Sequence, residues 1–239
     1  MISIIIPTYN EEKYIEATLK HLKQNLTLPH EIIISDDKST DGTVALAGKY
    51  ADLVHVPEVK HVTIGANRNA GAKYARGEVL VFTDSSCIIQ NPNDVFERAL
   101  AGFAADPKLV GIAGKLGVIP EKETRSDKAV YAIFNLVHLI KNNILGMGEA
   151  PGKFQVIRRS AFEAVGGYRE DLVTREDGDL FSRLSKLGRT HYDSKILVLH
   201  SGRRAHQVGW PKLLYVWMLE TFWVAVFGKS RTADWLGTR

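Results

Sequence analysis

Apolar runs of strand length recur through the first third of the chain, each followed by polar punctuation. Residues 2–6 (ISIII) end at Pro7, residues 31–35 (EIIIS) run into DDKSTDGT, residues 52–56 (DLVHV) precede IGANRNAGAKYARG, and residues 78–83 (EVLVFT) end at Asp84. Between them, Ile15, Leu19 and Leu22 share one face of a predicted helix, and Val44 and Ala47 lie in a helix-compatible segment. Short, nearly continuous apolar runs suit strands buried on both faces. The pattern therefore predicts an α/β fold built from β-α units, with an open, mainly parallel twisted sheet flanked by helices.

The second half is organised differently. Residues 91–107 (NPNDVFERALAGFAADP) predict a helix opened by Asn-Pro, with Val95, Phe96, Ala99, Leu100 and Phe103 inward, and residues 109–114 (LVGIAG) predict a further strand. Residues 129–147 (AVYAIFNLVHLIKNNILGM) are apolar enough for a buried helix, or for one that faces lipid or a large acceptor. Residues 154–168 (FQVIRRSAFEAVGGY) read as a strand, a short helix capped at Ser160 and a Gly-Gly stop. Within 169–188, Leu180, Leu184 and Leu187 form a helical stripe behind Glu176, Asp177 and Asp179. These segments divide the chain into a domain over 1–204, with halves of about 1–114 and 115–204, and a C-terminal apolar helical segment over 205–239.

Composition narrows the class. At 239 residues and 45% hydrophobic, the chain can bury a full-sized core. A net charge of +4 without a long basic block favours phosphorylated substrates or lipid headgroups over nucleic acid. The single cysteine, Cys87, excludes an internal disulfide framework and a multi-cysteine metal site. The opening MISIIIPTYNEE lacks the basic and long apolar regions of a signal peptide, so the body is expected in the cytosol.

Ligands of open α/β sheets sit beyond the carboxyl ends of the strands. Here those exits carry Pro7, Thr8, Tyr9 and Glu11, then Asp36 and Asp37, then Asp84 with Ser85 and Ser86. Acids gathered at strand exits of a net basic chain point to a shared site, with capping and turn formation as the alternative. The glycine fingerprint of a dinucleotide fold is absent after SIII, where PTYNEE stands instead.

Taken in order, SIIIPTYNEEKYI, IISDDKSTDGT, NRNAGAKYARGEVLVFTDSS and AVGGYREDLVTREDGDLFSRLSKLG resemble the successive motifs of the inverting, GT-A-type family 2 glycosyltransferases, over about residues 2–204. The resemblance implies a nucleotide-diphosphate sugar as donor, a divalent metal, and attack by an acceptor hydroxyl with inversion at the anomeric carbon. It implies nucleotide contacts from Pro7 to Glu11, with Tyr9 beside the base and Asp37 on the base imide. Asp36 and Ser39 would shape that turn, and Arg68 would line the pocket. Asp84 matches the first acid of the Asp-x-Asp element, and Ser86 stands where the second, a direct metal ligand, is usual.

A hydroxyl is a weak ligand for Mg²⁺ or Mn²⁺. Three arrangements remain open: Asp84 and the sugar diphosphate hold the ion, His200 assists, or basic groups replace it. Of these, the first is the expectation, with an ion held weakly until donor binds. The base implied by the resemblance is Asp177, with Glu176 orienting it or binding acceptor; capping of a helix start by acids is the other reading. His200, Arg203 and Arg204, in HSGRR, are candidates for the leaving diphosphate, as is Lys115 after GIAG. A solvated basic turn is the bland alternative there. Gln155 and Arg158 stand where relatives shape the sugar or acceptor cavity.

All four tryptophans, Trp210, Trp217, Trp223 and Trp235, lie near the C-terminus, as expected of an interfacial element. Leu213 to Phe227 would form a helix of about 22 Å, interrupted by Glu220, which is short for a membrane span. Residues 210–229 are therefore expected to make peripheral membrane contact, with packing on the core or in a homodimer as the alternative. The resulting expectation is a hexosyltransferase, using mannose or glucose, that acts on a lipid-linked acceptor at the cytoplasmic face of the cell membrane. A soluble enzyme with a saccharide acceptor, or a nucleotide-sugar-binding protein with impaired catalysis, are the competing readings.

Overall fold

In the computed structural model, which describes residues 1–60 and 63–231, one eight-stranded sheet runs through the chain in the order β3-β2-β1-β4-β7-β6-β8-β5. Strands β1 (Ile2–Thr8), β2 (His30–Asp36), β3 (Leu53–His55) and β4 (Val79–Thr83) pair in parallel. Their connections are the helices α1 (Glu12–Asn25), α2 (Thr43–Ala47) and α3 (Ile64–Ala72), as the apolar pattern predicts. Beyond β4 the sheet is mixed. Strand β7 (Phe154–Arg158) is antiparallel to both β4 and β6 (Leu109–Val118), while β8 (Arg189–His200) runs parallel to β6 and antiparallel to β5 (Cys87–Ile89). Because β7 runs against β4, the start of β7 lies beside the end of β4, with Phe154 opposite Thr83.

Both faces of the sheet are covered, which is why the strands read as unbroken apolar runs. Ile4, Ile6, Val81 and Val156 pack on one face with Ile15 and Leu19 of α1 and with Phe96 and Phe103 of α4 (Pro92–Ala105). On the other face Ile5, Leu80, Phe82 and Ile157 meet Phe162 of α6 (Arg159–Ala164) and Leu180, Phe181 and Leu184 of α7 (Glu176–Leu187). Phe181 completes the α7 stripe; Leu187, expected within it, is 54% exposed because it lies in the last turn, beyond the sheet. Helix α6 begins at Arg159, with Arg158 rather than Ser160 before its first turn.

Helix α5 (Arg125–Leu139) starts from a capping box in which Thr124 and Asp127 exchange hydrogen bonds. Asp127 also accepts from His206 Nε2 at 2.8 Å and Trp210 Nε1 at 2.7 Å, joining α5 to α8 (Arg203–Val208) and α9 (Trp210–Phe227). Tyr131, Phe134, Trp210 and Trp217 stack edge-on or tilted between the helices. On α9 the inward residues are Trp210, Leu213 and Glu220. The Glu220 carboxylate accepts from Thr174 Oγ1 at 3.2 Å and the Arg231 amide at 3.1 Å, so its charge is answered inside the protein and not at an interface. Residues Ile133, Leu136 and Val137 of α5, Ile144, Leu145 and Met147 just after it, and Tyr215, Met218, Phe222, Val226 and Phe227 of α9 are exposed. Trp235 lies outside the described residues.

Candidate active site

Three parallel strands and one antiparallel strand deliver polar ends to one edge of the sheet. At the end of β1, Thr8 Oγ1 donates to Asp36 Oδ2 at 2.8 Å, and the amide and hydroxyl of Ser39 both donate to the same carboxylate. Asp36 therefore holds the turn after β2. Asp37 follows it, buried, with its amide donating to the Thr8 carbonyl at 2.8 Å. Lys60 Nζ lies 3.6 Å above the Tyr9 ring. Pro7 is buried within β1, opposite Ser35.

Arg68 is the buried centre of a polar cluster at this edge. Helix α3 lies close against the sheet because Gly71 has no side chain; a Cβ there would stand 2.7 Å from Ile5 Cγ2. Thr63 caps the helix, accepting from the Ala66 amide at 3.2 Å. From this seat the Arg68 guanidinium donates to Glu176 Oε1 at 2.8 Å, to the Gly152 carbonyl at 2.7 Å and to Asp84 Oδ1 at 3.2 Å. Its carbon lies 5.3 Å from the centre of the Tyr168 ring. Asp177 follows Glu176 in the first turn of α7; its Oδ2 accepts from the Gly152 amide at 2.6 Å and its Oδ1 from the Gly178 amide at 2.7 Å. Asp84 and the α7 acids, which the sequence assigns to donor and acceptor sides, thus meet through one arginine and one glycine peptide.

Burial works to raise the Asp84 carboxyl, but Lys153, Arg68 and Arg204 outweigh it and hold it below the usual carboxylate range. For Glu176 the balance is reversed. Burial, and then the neighbouring Asp177 charge, push it up to about 7 in spite of Arg68. Lys153 Nζ lies 3.6 Å from Asp84 Oδ2. No sequence signal singled it out, because its position depends on the antiparallel pairing of β7 with β4. Glu149 was also missed: it binds Arg175 Nη1 at 3.0 Å and Lys141 Nζ at 2.6 Å, and so steadies the residue before α7.

The remaining candidates make other contacts. Glu11 forms a two-pronged ion pair with Arg203, tying the β1 exit to α8. His200, at the end of β8, accepts from the Gly202 amide at 3.0 Å, and burial pushes its imidazole down to about 3, so it is neutral. Ser85 and Ser86 are buried in the turn after β4, where the Ser85 carbonyl accepts from Thr18 at 2.7 Å. Gln155 accepts from the Tyr168 hydroxyl and its Nε2 lies 3.5 Å from the Asp177 carbonyl, beside the cluster, whereas Arg158 donates to the Leu109 carbonyl at 2.6 Å. Lys115 is exposed on β6, outside the contacts made by Arg68.

The donor set does not fit a protein-held divalent ion. Both Asp84 oxygens already face cations, Ser86 offers a hydroxyl, and among the described residues no three His, Cys, Asp or Glu side chains gather as a metal site. An ion on Asp84 would have to displace Lys153 or sit against it.

The model of the family described as "Glycosyl transferase family 2" matches residues 3–166. The chain belongs to this family. Its matched segment holds Arg68, Asp84 and Gly152 and stops short of α7, so the Arg68–Glu176 ion pair and the hydrogen bond from the Gly152 amide to Asp177 both join the α7 acids to the family 2 segment. The chain is 26% identical over 212 residues to the O-antigen chain rhamnosyltransferase RfbN of Salmonella typhimurium, covering 84% of this chain and 66% of that one. It is 28% identical over 198 residues to the beta-monoglucosyldiacylglycerol synthase of Synechocystis sp., covering 77% and 40%. Family 2 relatives such as these are thus spanned only in part. The mannosyltransferase PcManGT of Pyrobaculum calidifontis, solved with GDP-Man and Mn²⁺, superposes with a TM-score of 0.68 at 19% identity, over 84% of this chain and 56% of that one. This likeness establishes the GT-A fold.

The raised Glu176 proton affinity has a signature in stability. Between the ordinary glutamate value of 4.5 and about 7, the folded chain holds a proton that the unfolded chain has lost, so this residue's contribution falls as pH rises through that window. In urea titrations from pH 4.5 to 8, Glu176→Gln should gain stability relative to the wild type as pH rises to about 7 and then level off. Parallel pH curves for the two proteins would contradict the assignment.

Proposed function

We propose that this chain is the catalytic domain of an inverting glycosyltransferase, moving a hexose, mannose or glucose, from a nucleotide-diphosphate sugar to a hydroxyl or phosphate of a lipid-linked acceptor at the cytoplasmic face of a membrane. The observation that carries this reading is the Arg68 bridge, which sets Asp84 of the family 2 segment and the α7 acids in one cleft. Tyr9 and Asp37, at the neighbouring strand exits, are the groups for the nucleoside. Asp177 serves as base: it is less buried than Glu176, and two backbone amides fix its carboxylate. Glu176, paired with Arg68, is a positioning residue.

Transfer forms the bond from acceptor oxygen to the anomeric carbon as the bond from that carbon to the diphosphate oxygen breaks. The acceptor proton goes to Asp177, and the electron pair of the broken bond leaves on the nucleoside diphosphate. The lipid-linked acceptor is supported by the exposed apolar residues of α5 and α9, by Lys212 and Lys229 near the two ends of α9, and by the diacylglycerol-linked name of the Synechocystis relative. Among the described residues no helix is long and apolar enough to cross a membrane; the contact proposed for α9 is a peripheral one.

A donor screen with GDP-mannose, UDP-glucose and related sugars, against a lipid extract and against free saccharides, tests the reaction. Asp177→Asn should lower transfer about a thousandfold with donor affinity nearly unchanged. Loss of donor binding with turnover retained would remove Asp177 from the role of base.

Flotation with anionic liposomes tests the surface. The wild type should rise with the vesicles, and the double variant Met218→Glu, Phe222→Glu should stay behind. A wild type that does not float, but sediments as a dimer that the same substitutions dissociate, would give this face to a second copy.

A further inference from the structure

We propose that Lys153 is the cation that meets the donor diphosphate, and that nucleotide binding here does not depend on a divalent ion held by Asp84. The proposal rests on reading the cleft as the donor site. The two basic residues that contact Asp84 are not equivalent. Arg68 is locked, with its side chain 2% exposed and its two terminal nitrogens hydrogen-bonded to Glu176, Gly152 and Asp84. The side chains of Lys153 and Asp84 are 31% and 25% exposed, so their pair opens to the cleft. A lysine ammonium on a flexible stem can exchange a carboxylate for a phosphate at little cost, whereas a buried, three-way arginine cannot.

The backbone around Lys153 explains why its ammonium stands there. Its carbonyl accepts from Thr83 Oγ1 at 3.1 Å, fixing the start of β7 beside the end of β4. One residue earlier, the Gly152 peptide binds Arg68 through its carbonyl and Asp177 through its amide. Lys153 therefore adjoins the peptide that holds the base and reaches the acid of the family 2 segment. Arg204 also helps to depress Asp84.

Charge accounting agrees with this placement. A divalent ion is usually bound through one or two carboxylates together with substrate phosphates. At Asp84 that ion would confront an ammonium 3.6 Å from one carboxylate oxygen and a guanidinium 3.2 Å from the other. Ser86 supplies no second negative charge. When the anomeric carbon leaves the diphosphate oxygen, the nucleoside diphosphate keeps the electron pair and gains one negative charge, while the acceptor proton passes to Asp177. The Lys153 ammonium offsets that charge without transferring a proton.

The test is calorimetric titration of the full chain with UDP, GDP, uridine and guanosine, in excess EDTA and then with Mn²⁺. The diphosphate that binds should do so in EDTA within about threefold of its affinity with Mn²⁺. Lys153→Met should weaken that diphosphate at least tenfold in EDTA and leave the matching nucleoside unchanged, while Lys153→Arg should keep most of the affinity. Thermal unfolding of both variants checks that they are folded. Diphosphate binding seen only with Mn²⁺, or an equal loss for nucleoside and diphosphate in Lys153→Met, overturns the proposal and leaves the glycosyltransferase reading standing. Absence of diphosphate binding under every condition overturns both.

Discussion

A buried guanidinium is tolerated only where carboxylates and carbonyls surround it, and Arg68 draws such groups from three distant parts of the chain. The ion pairs are not a source of net stability by themselves, because taking the charges out of water offsets much of their attraction. Their effect is positional. With Asp84, Gly152 and Glu176 all answering one cation, the end of β4, the start of β7 and the first turn of α7 cannot drift apart without leaving a charge unpaired. Asp177, next in sequence to Glu176, is placed by the same constraint. The meeting of these three elements at one edge of the sheet is thus tied to one buried arginine.

That constraint also shows what sequence can and cannot reveal. Strands β1, β2 and β4 were readable because each is a short, doubly buried run with Pro7, the Asp36–Asp37 pair or Asp84 at its end; β3 is half-buried and was readable from its apolar run before a glycine-containing segment. The acids at their ends were readable for the same reason, and Asp36 holds its turn with Thr8 and with Ser39, the residue expected to share it. The second half was less legible. Only ILVL of β8 stands out as an apolar run, while the strand begins at Arg189, and the antiparallel course of β7 is set by tertiary pairing that no local pattern encodes. Lys153 was missed because of that pairing. Glu11 and Arg203 each looked like a ligand-binding group, and their mutual ion pair spans residues too far apart in sequence to be read as partners.

The C-terminal helix connects the cleft to the apolar surface. Glu220 of α9 accepts from Thr174, Ser230 Oγ accepts from the amides of Val173 and Thr174, and Arg169 donates to the Gly228 carbonyl at 2.5 Å. These bonds fasten the end of α9 to the loop that leads into Glu176 and Asp177. The helix carrying exposed Met218, Phe222 and Phe227 is therefore tied to the first-turn acids of α7, and α5 is joined to it through Asp127 and the aromatic stack. The exposed apolar surface and the turn carrying the proposed base belong to one packed unit.

The most direct measurement is the unfolding free energy of three variants: Arg68→Met, Glu176→Met and the two combined. If Arg68 organises the cleft by answering buried carboxylates, the arginine variant should lose about 3–5 kcal/mol, since Glu176 is left buried without its partner. Removing Glu176 as well should restore a substantial part of that loss. An Arg68→Met protein within about 0.5 kcal/mol of the wild type, or a double variant whose cost is the simple sum of the two single ones, would contradict the account.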